Sequence, residues 1–309
     1  PAPCMNPRFW ILATALVSGF SVVYNASAVK GADPVAFATL KNAIAAVAVL
    51  AIILALGSWQ SFAKLKRGQW MKLLAIAVVG GSIPFALFFT GLSFASSGGT
   101  ASFTYRILFF FAAGFAAVFL KEKINARFVA GVVLLLIANA LMLGPISFGV
   151  GEALVLAATL MWAAEGVLSK QALADIAPDV VASVRLGAGS IILFGGLMLT
   201  GRMAGFSGGS IFGAPALISA AFITLYVLTW YRGLARLPLS EATALLSLGG
   251  LVSLTAPALM NGRLPGISEG ASGLLLLAGI LLVLGPVRLR QMADETARTL
   301  QAQAAGRKA

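Results

Sequence analysis

The sequence predicts an all-α polytopic membrane protein: ten transmembrane helices arranged as two inverted five-helix repeats. Three observations carry that prediction. The 309 residues are 60% hydrophobic and only 10% charged, with a mean hydropathy of +0.97. A soluble domain carries about 25% charged residues, so the surface of this chain is built for the bilayer. Apolar runs close to the roughly 20 residues that a membrane helix needs recur ten times. The basic residues between those runs fall almost entirely on alternate connections.

The runs cover 9–28, 34–57, 71–94, 99–120, 127–143, 150–169, 180–200, 211–231, 242–261 and 270–287. A β-barrel would show strands of about ten residues with alternating polarity; these runs are longer and continuously apolar. The first is too long for a cleaved signal peptide and has no small-residue cleavage site. The second opens on Asp33-Pro34 and the seventh on Pro178-Asp179. Proline suits a first helical turn, where its missing N–H is not needed. The third ends on Phe88-Phe89-Thr90-Gly91-Leu92 and the eighth runs into Trp230-Tyr231-Arg232-Gly233-Leu234. The fourth closes on Lys123-Ile124 and the ninth on Arg263-Leu264. The fifth opens on Arg127, the sixth carries Glu165, and the tenth leads into a polar, basic tail. The connections are too short for a soluble domain. This divides the chain into a first repeat over 9–143, a second over 150–287 and a tail over 288–309.

Charge supplies a direction. With the N-terminus inside, 16 Lys and Arg residues fall on inside connections and tails, against Lys30, Arg202 and Arg263 outside. Positive residues accumulate on cytoplasmic loops, so a net charge of +12 reads as membrane topology rather than nucleic-acid binding. An even number of spans puts both termini in the cytoplasm. A bacterial inner membrane is the expected location.

Composition also excludes chemistry. There is no His and a single cysteine, Cys4. His-based zinc sites, Ser-His-Asp triads and an internal disulfide are therefore absent. No Gly-x-x-x-x-Gly-Lys-Ser/Thr occurs, so no P-loop is encoded. Glu165 is the one acidic residue clearly inside a run. No cofactor, metal or enzymatic activity is expected.

The landmarks of the two halves recur in register. Lys41 and Arg185 each stand seven residues after the opening proline. Proline-to-glycine spacing is 57 residues in one half and 55 in the other, and glycine-to-basic spacing is 32 and 30. An odd number of spans per half forces the second half upside down, the inverted repeat of secondary transporters. On these marks, together with Leu120-Lys121-Glu122-Lys123-Ile124 after the fourth run, the chain resembles the EamA-type members of the drug/metabolite transporter superfamily. That stretch is similar to the family's Leu-Gly-Glu-Arg-Leu signature, with Lys121 in place of glycine; Gly262 stands where the second-half Glu would be. Within the family, the overall likeness is to exporters of aromatic amino acids.

The resemblance implies a cavity built from the first, third, fourth, sixth, eighth and ninth helices. Tyr24, Phe85, Phe88, Tyr105, Trp162, Tyr226, Trp230 and Ser247 then become lining candidates, suited to planar, partly apolar solutes. Polar groups in a bilayer are costly and face a cavity or a partner. Arg106, seven residues into an otherwise apolar run beside Phe103 and Tyr105, either forks onto a substrate carboxylate or phosphate or is tied down by the protein. Lys41 lies roughly 10 Å below its helix start and reads equally as a snorkelling side chain or as a cavity cation. Asn42 reads as a helix–helix hydrogen bond. Glu165 is a salt-bridge partner of Lys170 or Arg185, a proton carrier, or a site for a substrate ammonium. Arg185 reads as an interfacial residue or the partner of Glu165. Ser96-Ser97-Gly98-Gly99 and Gly249-Gly250 are the candidate hinges.

The expected function is a secondary transporter that exports small amphipathic metabolites, aromatic and large apolar amino acids foremost, by alternating access. Arg106 or Lys41 would hold the carboxylate. The rivals are a carrier of sugar phosphates or nucleotide sugars, an exporter of cationic drugs, and a membrane-embedded enzyme or scaffold. Partners other than the solute and the lipid bilayer are not implied.

Overall fold

A computed structural model describes residues 6–29, 32–57, 59–94, 104–141, 148–206, 213–260, 262, 264 and 266–306. Among these the chain is helical, without a strand. Seven helices are long and apolar enough to cross a membrane: α1 Pro7–Ala28, α2 Pro34–Ala55, α3 Arg67–Phe94, α6 Val150–Ala172, α7 Pro178–Leu199, α8 Ala214–Leu234 and α10 Ile267–Gly306. Three shorter apolar helices, α4 Thr104–Phe119, α5 Ala126–Ala140 and α9, complete the ten. The ninth has two pieces, α9a Leu239–Leu246 and α9b Gly249–Met260.

Local chemistry starts these helices where the sequence signals lie. Asp33 accepts from the N–H groups of Val35 and Ala36, both at 2.9 Å, directly ahead of Pro34 in the first turn of α2. Asn6 accepts from the Arg8 N–H at 2.9 Å and Asn125 from the Phe128 N–H at 2.8 Å. Such caps satisfy donors that a helix start leaves unpaired. The cap of α9a comes from a different part of the chain. Glu122, in the α4–α5 connection, accepts from the N–H of Leu239 at 2.7 Å, the N–H of Ser240 at 3.1 Å and the Ser240 hydroxyl. Lys121, one residue earlier, has φ 55°, the one positive φ outside glycine among the described residues. Glycine adopts that conformation without the cost a side chain adds, which gives a physical reason for glycine in the related signature.

Several helix boundaries differ from the sequence reading by two to four residues, two of them at polar first turns. The third helix starts at Arg67 rather than 71, and the ninth at Leu239 rather than 242. Polar first turns, Arg67–Lys72 and Ser240-Glu241, lower the local hydropathy and clip the apolar run. Glu241 is therefore a further buried carboxylate inside a helix of the bundle, 1% exposed and bonded at 2.8 Å to Arg8 Nε. The basic tail continues α10 as helix to Gly306, beyond a kink at Gly285 (φ 71°, ψ 167°) and Pro286.

Side-chain contacts fix the direction of each helix. Arg8 meets Glu241, joining the starts of α1 and α9a. Arg232 meets Asp179 at 2.8 Å, joining the end of α8 to the start of α7. Lys170 Nζ donates to the Leu234 carbonyl at 2.9 Å, so α6 ends beside the end of α8. Gln69, at the start of α3, reaches Asp175 at 3.2 Å. At the opposite end, Arg202 after α7 pairs with Asp33 before α2. The start of α1 and the end of its counterpart α6 therefore share one end of the bundle, as an inverted repeat requires.

The packing obeys the same two-fold. Helix α1 packs on α8 while α6 packs on α3; α1 packs on α9 while α6 packs on α4. The counterparts α2 and α7, α4 and α9, and α5 and α10 pack on each other. Each half thus completes its core with the other half. The recurring glycines show why their positions matter. A side chain at Gly91 would come within 2.8 Å of the Gly151 carbonyl in the first turn of α6, and one at Gly233 within 3.1 Å of the Pro7 carbonyl in the first turn of α1. Large apolar side chains such as Val47, Leu54, Met71, Val118 and Ile191 face outward, as a lipid-facing surface does.

Candidate transport cavity

A cavity of about 390 Å³ lies where the helices of both halves converge. Each half contributes a broken helix beside it. Helix α4 is interrupted at Ile107, and α9 between Leu246 and Gly249. Across the gap Arg106 Nη2 donates to Ser253 Oγ at 2.7 Å. Interrupted helices at corresponding positions of two repeats mark the binding region of transporters, because backbone groups freed in a bilayer must line a cavity or find a partner.

A third irregularity shapes the opposite wall. Helix α3 makes a π-helical turn over Ala77–Ser82, containing Gly80 and Gly81. The Gly80 carbonyl accepts from Trp162 Nε1 at 3.1 Å. A Cβ at Gly80 would collide with the Glu165 side chain, and one at Gly81 with the Arg185 carbonyl. The two glycines let α3 approach α6 and α7 closely enough to bring Glu165 and Arg185 to the cavity. Such π-turns concentrate at functional sites.

The apolar wall is a cluster of rings. Trp162 lies 5.4 Å from Phe85, 5.3 Å from Phe88 and 5.6 Å from Tyr105, in tilted and edge-on arrangements, and Phe88 lies 5.3 Å from Tyr105. These separations and angles are the favoured ones for aromatic pairs. Across the cavity Tyr226 stacks on Trp230 at 6.2 Å.

Four charged groups line this space: Lys41, Arg106, Arg185 and Glu165. Lys41 is 3% exposed, with Nζ 4.9 Å from the ring centres of both Phe85 and Phe89. It faces the cavity rather than snorkelling, and no carboxylate or hydrogen-bond acceptor among the described residues pairs with it. Glu165 Oε1 accepts from the Tyr231 hydroxyl at 2.7 Å and from the Ser169 hydroxyl. Its Oε2 lies 3.9 Å from Arg185 Nη2, while Lys170 turns away to the Leu234 and Ala235 carbonyls. Arg185 Nε and Nη1 are buried without a hydrogen-bond partner. Three cations thus share the cavity with one carboxylate that is already engaged. A low-dielectric space with that imbalance favours an incoming anion.

Ten of the sequence candidates meet at this cavity: Lys41, Phe85, Phe88, Tyr105, Arg106, Trp162, Glu165, Arg185, Tyr226 and Trp230. Tyr24 does not line it; its ring packs 5.9 Å from Phe222. Ser247 lines a smaller cleft of about 40 Å³ that adjoins the cavity at Arg106 and Ser253. Asn42 makes no helix–helix hydrogen bond: it is fully buried and neither amide atom has a partner. Phe103, Arg263 and the Ser96–Gly99 hinge lie outside the described residues. Gly249-Gly250 opens α9b directly after the helix break. Sequence reasoning misses Ser18, Ser21, Asn25, Phe89, Thr243 and Ser253 on the wall. Ser18, Ser21 and Asn25 follow the three- and four-residue spacing of one helical face, a signal that the sequence does carry. The contact of Ser253 with Arg106 depends on two helix breaks, and no local pattern announces it.

Comparison with known proteins places this architecture. No curated protein matches the chain. Among 29 matching chains of known structure, one crystal structure of a protein at 17% sequence identity aligns with a TM-score of 0.67, covering 87% of this chain and 95% of its own. At that identity the likeness shows the fold. The EamA-like transporter family matches residues 7–144 and again 149–285. With two copies spanning nearly the whole bundle, the chain belongs to the EamA-like transporter family, non-enzymatic membrane transporters of small molecules within the drug/metabolite transporter superfamily.

Proposed function

We propose that this protein exports small amphipathic metabolites that join an acid group to a flat apolar body, aromatic and large apolar amino acids foremost. Export would run outward across a bacterial inner membrane, with both termini cytoplasmic, as the 16-to-3 distribution of basic residues favours. The mechanism is alternating access: the two inverted halves rock around the shared cavity. The observation that carries the reading is the meeting of cations and rings. Lys41 has no carboxylate partner among the described residues, Arg185 has donors that nothing takes up, and both border a space walled by Phe85, Phe88, Tyr105 and Trp162. An amino acid carboxylate suits the first group and an aromatic side chain the second.

The cation excess favours one second reading, a carrier of sugar phosphates or nucleotide sugars, because guanidinium and ammonium groups suit phosphate. Export of cationic drugs fits less well, since Glu165 is already held by Tyr231, Ser169 and Arg185.

The test is flux in proteoliposomes across a panel of aromatic and aliphatic amino acids, a sugar phosphate and a cationic dye. The expected result is flux of phenylalanine, tyrosine or tryptophan above that of alanine. Flux of the sugar phosphate with none of any amino acid overturns the amino acid reading in favour of the second.

A further inference from the structure

We infer that Arg185, with Lys41 beside it as a second positive charge, receives the substrate's acid group, and that Arg106 instead serves as a brace between the two helix breaks. This inference rests on the reading above that the solute carries an acid group, and it names the residues that hold it.

A guanidinium has five N–H donors, and a buried polar group without a partner is rare enough to demand a reason. Arg185 is 4% exposed. Its Nε and Nη1 have no hydrogen-bond partner, and its Nη2 stands 3.9 Å from Glu165, outside hydrogen-bond distance. Glu165 does not rescue it: Oε1 is taken by the Tyr231 and Ser169 hydroxyls, and Oε2, the oxygen that faces Arg185, stays 3.9 Å away. Ring faces flank the guanidinium, Phe85 at 6.0 Å and Tyr231 at 5.9 Å. Arg185 borders the cavity with its hydrogen-bonding capacity unspent, and a guanidinium that turns such donors to a ligand binds carboxylate or phosphate in two-point fashion.

Lys41 stands at the same aromatic side chain, 4.9 Å from the Phe85 ring centre. The two cations are counterparts in the repeat, each seven residues past the proline that opens its helix, and α2 packs on α7. The repeat therefore brings both to Phe85, with a net charge that one acid group offsets. Arg106 differs on each point. It is only partly buried, and its Nη2 already bonds Ser253.

Equilibrium binding to the purified full-length protein tests this, with L-phenylalanine, L-phenylalaninamide and phenyl phosphate as probes. The wild type is expected to prefer L-phenylalanine over its amide by about tenfold or more, as loss of a charge-assisted hydrogen bond implies. Arg185→Gln should reduce that preference to about twofold or less, Lys41→Gln should reduce it in part, and Arg106→Gln should leave it intact. Should Arg185→Gln fail to purify as a monodisperse species, Arg185→Lys decides. It keeps the charge but loses the fork, so the expected result is weaker binding of the acid probes, by about tenfold, with the preference over the amide retained. Unchanged affinity in that variant overturns the inference. So does a preference that survives Arg185→Gln, or one that Arg106→Gln alone abolishes. Should the wild type bind neither amino acid derivative, the amino acid reading falls. Phenyl phosphate then carries the test of the anion site: binding that Arg185→Gln removes upholds the site, and no such binding overturns it.

Discussion

The two halves of this protein share a plan and divide the electrostatics unequally. The first half places Lys41 and Arg106 at the cavity with no carboxylate partner among the described residues. The second half places its acidic side chains in bonds: Glu165 to Tyr231 and Ser169, Asp179 to Arg232, Glu241 to Arg8. Their third helices differ likewise. Helix α3 carries a π-turn with two glycines, while its counterpart α8 is regular and carries the buried Trp230 and Tyr231. Symmetry explains how the scaffold closes and which helices pack. Asymmetry explains chemistry: the first half offers an unpaired lysine and a thin wall, while the second holds its carboxylates in place and leaves Arg185 with unused donors.

The sharpest way to break that comparison is to remove a charge from each half. Glu165→Ala removes the acceptor of Tyr231 and the one carboxylate beside Arg185, and should destabilise the protein by about 3–5 kcal/mol, as loss of one partner from a buried pair does. Lys41→Met removes a buried charge that has no partner, so thermal stability should hold or rise while substrate binding falls, the exchange of stability for function found at active sites. Thermal unfolding in detergent measures both; a larger loss for Lys41→Met than for Glu165→Ala would invert the comparison.

A smaller effect is expected at the thin wall. Gly81→Ala drives a methyl group into the Arg185 backbone carbonyl, and overpacking of this kind costs about 1–3 kcal/mol. At Gly187, two residues after Arg185 on α7, an added methyl group would meet nothing within 4 Å, so Gly187→Ala should cost nothing measurable. The same unfolding experiment compares the two; equal losses would show that the close approach of α3 and α7 is not set by Gly81.

The smallest effect concerns the joint between the halves. Glu122 of the first half caps α9a of the second, while Gly262 holds the equivalent place after α9. Glu122→Ala should cost about 0.5–2 kcal/mol, the range for loss of a helix cap. A stability change within error would show that the joint is held by packing alone.

Much of the scaffold is legible in the sequence, because its causes are local or periodic. Pro34 and Pro178 mark helix starts through their own backbone geometry. Gly91 and Gly233 recur because each touches the first turn of a partner helix. Apolar length marks the spans, except where a polar first turn such as Ser240-Glu241 hides a buried helix start. The wall of the cavity is legible in part. Its rings and charges stand out against an apolar background, which is why Lys41, Arg106, Glu165 and Trp162 are visible as candidates. Their pairing is not legible, because it depends on which helices meet. Arg185 reads in sequence as an interfacial residue or the partner of Glu165, yet the structure leaves its guanidinium without a hydrogen bond. Tyr24 stands out as an aromatic residue of the first helix, but its position on that helix turns it to Phe222.

We propose that the cavity joins an acid-binding group to an aromatic wall for transport. Counterflow in proteoliposomes loaded with unlabelled L-phenylalanine tests it most directly, by following uptake of labelled L-phenylalanine in the wild type and in Arg185→Gln. The expected result is robust exchange in the wild type that L-phenylalaninamide in the lumen does not support, and exchange reduced about tenfold or more in Arg185→Gln. Equal exchange with the amide and the acid, or wild-type exchange in Arg185→Gln, would contradict it.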